Sequence, residues 1–127
     1  MSKKKTVFIV GNPLVKKDSM PLQIMPILQK KMPGIEFVQF EPTRMDIPHN
    51  ADLVFIDTVE GLNGVRVLRD ISKIQSSKAF SLHDFDLGTQ LVLMHKFGML
   101  GRVKIIGVPA KGEKEKIARK VALQLEK

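Results

Sequence analysis

The chain has 127 residues, 14.3 kDa and 43% hydrophobic residues, the size and content of one compact domain with a single core, and one domain spanning 1–127 is expected. Its 21 Lys and Arg against 13 Asp and Glu give a formal charge of +8, and it has no cysteine, which excludes disulfides, zinc-thiolate sites, iron-sulfur ligation and thiol nucleophiles together. No apolar run approaches the roughly 20 residues of a membrane span, and "MSKKKTVFIVGN" sets basic residues before too short an apolar run for a signal peptide, so the expectation is a cytoplasmic protein with no direct membrane insertion.

In chain order, "TVFIV" (6 to 10) is a short apolar strand that ends in Gly-Asn-Pro. "MPLQIMPILQKK" (20 to 31) has Met20, Ile24, Ile27 and Leu28 at helical spacing; Ser19 is placed to cap it, Pro21 suits the first turn and Pro26 is expected to kink it. "IEFVQF" (35 to 40) is a second strand, followed by the polar, proline-marked loop "EPTRMDIPHN". "ADLVFID" (51 to 57) is a third strand, while "VRVLRDI" (65 to 71) fits more than one period and is read as a further strand. "DLGTQLVLMHKFG" places Leu87, Leu91, Met94 and Phe97 along one helical row, with Gly98 as the stop. "RVKIIGV" (102 to 108) is a strand, and "KGEKEKIARKVALQLEK" a charged helix with Ile117, Val121 and Leu125 on one face.

Strands alternate with helices, and uninterrupted apolar runs such as "LVFI" suit strands buried on both faces. The predicted fold is a three-layer α/β/α domain with a mainly parallel, twisted sheet of about five strands. No internal repeat or low-complexity tract is present.

In such sheets ligands bind outside the carboxyl ends of the strands. Three chemistry-bearing residues follow strands or precede a helix there: Asp18 after the first strand, Asp57 at the end of "LVFID", and His83 in "SLHDFDLG". Two carboxylates and an imidazole suit a borderline divalent cation such as nickel, zinc, manganese or iron. Each residue also has a purely structural reading: Asp18 as a helix cap, Asp57 as an acceptor for loop amides, His83 as a satisfied turn residue. His49 is read as a loop residue within reach of the site rim, and His95 as exposed.

Other chemistries lack their signatures. There is no dinucleotide fingerprint, phosphate loop, G-x-S-x-G elbow or H-E-x-x-H helix. Tyr and Trp are absent, the lysines gather in "SKKK" and "KGEKEKIARK", and no nucleic-acid partner is expected.

Four ordered blocks, "VGNPLVKKDSMP", "LVFIDTVEGLNG", "SLHDFDLGTQLV" and "VKIIGVPA", resemble the hydrogenase maturation endopeptidases over most of the chain. Gly11, Asn12 and Leu14 match the family's opening motif, and Asp18 stands at its ligating acid. Asp57 and His83 match the second and third ligands. The resemblance implies an endopeptidase that removes the carboxyl-terminal extension of a nickel-iron hydrogenase large-subunit precursor after nickel insertion. It further implies that Asp18, Asp57 and His83 are both catalytic and metal-binding, with nickel brought by the precursor and zinc or cadmium able to replace it in vitro. The pattern departs at Lys17, which replaces the first acid of the family's pair, and at Ser19, Met20 and Pro21, which replace glycines. Lys16 and Lys17 favour the ionised form of Asp18 while reducing attraction for a cation. A non-proteolytic nickel-binding accessory of hydrogenase maturation is the alternative that these departures suggest.

Overall fold

In the computed structural model, residues 5–11, 19–40, 47–59, 61–70 and 85–127 are described, with the backbone alone for 85–89. The elements run β1 (Lys5–Val10), α1 (Met20–Lys31), β2 (Ile35–Phe40), β3 (Leu53–Thr58), β4 (Arg66–Leu68), α2 (Phe85–Lys96), β5 (Val103–Val108) and α3 (Lys114–Glu126). The five strands form one sheet in the order β2-β1-β3-β5-β4, parallel throughout except for the β4–β5 pair. The expected α/β/α architecture is therefore present.

Strand alternation explains the layers, because successive side chains point to opposite faces. Val7 and Ile9 of β1, Val54 and Ile56 of β3, and Ile106 and Val108 of β5 form one cluster with Ile24 and Leu28 of α1 and with Ile117, Val121 and Leu125 of α3. The alternate residues Val10, Leu53, Phe55, Val103 and Ile105 join Phe40 and Leu91 of α2 on the other face. All six residues of β3 and of β5 are buried, so the two-residue period that marks a half-exposed strand is invisible in them. At the centre of the second cluster, Phe55 stacks on Phe8 at 5.4 Å between ring centroids and meets Phe40 edge-on at 5.6 Å.

The helix ends follow local chemistry. Pro21 lies in the first turn of α1, where amides have no intrahelical acceptor, and the helix continues through Pro26 to Lys31. Ser19 does stand at the N-cap, but its side chain makes no capping bond: its Oγ accepts from Nε2 of Gln23 at 2.7 Å. The Ser19 backbone is in the αR region (φ −109°, ψ −5°) instead of the extended conformation usual for a capping residue, and Pro21 has no N–H to be capped. At the end of α2, Gly98 has a φ of +67°, its N–H donates to His95 O at 3.1 Å, and the N–H of Met99 donates to Met94 O at 2.8 Å. Those two bonds are the Schellman arrangement, and glycine accepts the left-handed conformation without strain. The helix therefore stops before Phe97, which is 72% exposed instead of lying on the buried row with Leu91.

The amino ends of the central strands are tied together. Leu53 N–H donates to Arg102 O at 2.8 Å, and Arg102 N–H donates to Oδ1 of Asp52 at 3.1 Å. Gly101 lies so close to this turn that a Cβ there would fall 2.6 Å from the carbonyl oxygen of Ala51, an approach open only to glycine. This lock explains why β3 starts at Leu53, two residues later than the apolar pattern suggests.

Candidate functional site

The strand order places β1 between β2 and β3, so the connections from the two neighbouring strands β1 and β3 depart in opposite directions. Such a reversal opens a crevice at the carboxyl ends of those strands, the usual ligand position in open α/β sheets. The registers Phe8↔Phe55 and Ile9↔Ile56 set the end of β1 level with Asp57.

Asp57 is the fifth residue of β3, at this end of the sheet, and is fully buried. It alternates with Leu53 and Phe55 and so belongs to the face that α2 covers. Its Oδ1 accepts the N–H of Thr58 at 2.8 Å, which fixes the carboxylate at the strand end. Its register partner on β5 is Gly107, which brings no side chain against it. A buried carboxylate needs hydrogen bonds or a charge partner, and the Thr58 N–H supplies one of these for Asp57. On the opposite face of β3, the buried Thr58 hydroxyl has no hydrogen-bond partner among the described residues.

Of the three residues singled out in the sequence, Asp57 stands where expected, while Asp18 and His83 lie outside the described residues, as do Asn12, Leu14, Lys16 and Lys17. Among the described residues no group of three or more His, Cys, Asp or Glu side chains could hold a metal ion. His49 is exposed and lines a groove of about 710 Å³ with Ile47, Leu93 and Met94, beside α2. His95 is exposed, as expected.

A feature that sequence reasoning missed lies at the other end of the sheet. Lys104, in the middle of the apolar run "VKIIGV", is 9% exposed, and its Nζ donates to Gln124 O in the last turn of α3. Lys5 Nζ donates to Leu125 O at 3.3 Å. Both lysines thus meet the negative end of the α3 dipole. The signal was present, since a lysine interrupting a fully buried strand requires an acceptor.

A five-stranded, mainly parallel sheet between helices is a fold shared with solved structures. The hydrogenase maturating endopeptidase HybD from E. coli matches with a TM-score of 0.66 at 18% identity, over 96% of this chain and 92% of that one. The endopeptidase HycI from Escherichia coli matches with a TM-score of 0.58 at 17% identity, over 94% and 87% of the respective chains. At these identities the likeness is one of fold. No protein-family model and no curated protein matches the sequence.

Proposed function

We propose that this chain is an endopeptidase that removes the carboxyl-terminal extension of a nickel-iron hydrogenase large-subunit precursor after nickel has been inserted. The observation that carries the reading is Asp57: a fully buried carboxylate at the switch point of a fold shared with hydrogenase maturation endopeptidases. The order of the sequence blocks around Asp18, Asp57 and His83 supports the same assignment.

In this reading Asp18, Asp57 and His83 ligate the nickel that arrives with the precursor, so that the metal is part of the substrate. Two carboxylates and an imidazole are a donor set that a borderline cation accepts, with positions left for the precursor's own ligands. When bound, the ion supplies Lewis acidity toward a nearby carbonyl. Asp57 and Asp18 orient the precursor's metal centre, and one of these carboxylates takes a proton from the attacking water. No serine elbow or cysteine offers a covalent route, which favours direct attack by water. Zinc or cadmium replaces nickel in vitro on the same donor chemistry.

Incubation of the purified protein with nickel-loaded and nickel-free precursor, followed by intact mass, tests this reading. Loss of the extension from the nickel-loaded form alone is expected, and His83→Ala is expected to abolish it while the protein stays folded. Binding of the precursor with no clipping of either form would replace the peptidase with a nickel-binding accessory.

A further inference from the structure

The edge of the sheet opposite Asp57, where β1, β3 and β5 begin, holds a second feature that the peptidase reading does not use. A cleft of about 730 Å³ opens there between strand starts, the end of β4 and the carboxyl end of the chain. Its lining carries five cationic side chains, Lys5, Arg69, Arg102, Lys104 and Lys127, against the two carboxylates Asp52 and Asp70. Asp52 accepts the backbone N–H of Arg102 through Oδ1 at 3.1 Å, and Asp70 is likewise engaged.

Cations gathered from β1, β4, β5 and the end of α3 repel one another, and nothing in the cores requires the charges of Arg69 or Lys127, which are exposed. Lys104 shows the crowding most clearly. Burial first, then Arg69, Lys5 and Lys127, hold its ammonium below the ordinary lysine value of 10.5. Its bond to Gln124 O and that of Lys5 to Leu125 O each occupy one N–H. An ammonium has three, so both retain capacity for an incoming acceptor.

We infer that this cleft binds a small oxyanion bearing two or more negative charges, gripped by Lys104 at the base and by Lys5, Arg69 and Lys127 around it. Compact polyanions are the class that fits, because the cations come from separate elements and only a ligand with several charged oxygens meets them together. The guanidinium of Arg69 offers a planar fork and the lysines point charges, a combination that suits phosphate and carboxylate oxygens alike. Phosphoryl and polycarboxylate ligands share that chemistry. The site stands at the far edge of the sheet and is independent of peptidase activity.

Isothermal titration of the full chain with pyrophosphate, and separately with citrate, tests the inference. One saturable site with a Kd below about 1 mM is expected for at least one of them, and the tighter ligand identifies the class. Lys104→Met keeps an unbranched apolar stem in β5, and Arg69→Gln alters an exposed residue. Each is expected to weaken binding about tenfold or more, with thermal melts showing both variants folded. In lysine-observed NMR, the bound anion is expected to raise the titration point of Lys104. No saturable heat with either anion, or binding that both variants leave unchanged, would overturn the site. Should Lys104→Met fail to fold, the Arg69→Gln titration and the NMR shift decide.

Discussion

Asp57→Asn is expected to abolish precursor clipping, lowering the rate by about 100-fold or more, while leaving the fold in place. Asparagine has the shape of aspartate and its carbonyl oxygen still accepts the Thr58 N–H, now held at 2.8 Å by Oδ1. What it loses is the negative charge and one acceptor oxygen, the two properties that a metal ligand or a proton acceptor needs. Asparagine keeps the Thr58 bond and close to the same volume, so the variant is expected to stay folded. Intact-mass kinetics beside a thermal melt separate the two effects. A variant that clips at the native rate would take Asp57 out of the site, whereas one that unfolds would make it structural.

The largest effect on stability is expected at Phe55. The ring is fully buried in the central strand, paired in register with Phe8 on one side and Ile105 on the other, and forms the hub of the three-ring cluster with Phe8 and Phe40. Phe55→Ala removes the transfer energy of the ring, leaves a cavity against two aromatic neighbours, and is expected to cost about 3–5 kcal/mol. Against a total of about 5–15 kcal/mol for an ordinary domain, that is a large share, and Tm should fall by roughly 10–20 °C. Phe55→Leu retains most of the volume and should cost about 1–2 kcal/mol. Urea unfolding measures both, and a loss of less than about 1 kcal/mol for the alanine variant would contradict the packing described.

Much of the fold was legible because the local signals agreed with the tertiary solution. Helix α1 spans the residues that the spacing of Met20, Ile24 and Leu28 indicates, and those side chains are all buried. The apolar runs ending at Val10, Phe40 and Val108 are strands, and Ile117, Val121 and Leu125 are the buried row of α3. The departures are local. Ser19 stands at the N-cap without making a capping bond, Phe97 falls beyond a Schellman stop, and the expected strand at 65–71 is present but, among the described residues, pairs with β5 over Arg66–Leu68.

For the site, the sequence conveys which residues carry chemistry, whereas the sheet order conveys which strand ends lie beside Asp57. Periodicity places Asp57 at a strand end but says nothing of β3 lying beside β1, and the crevice depends on that neighbour. Pairing between strands remote in the chain is settled by packing of both faces, which no local window contains. Lys104 illustrates the converse: a lysine within an apolar strand is visible in the sequence, but its acceptor lies 20 residues away on α3.

In the proposed site, Asp18, Asp57 and His83 converge on one cation at the β1/β3 switch point. Anomalous diffraction from crystals soaked in cadmium tests it most directly. One strong anomalous peak within coordination distance of all three side chains is expected, lost in Asp57→Asn crystals. A cadmium ion bound elsewhere, with none touching Asp57, would contradict it.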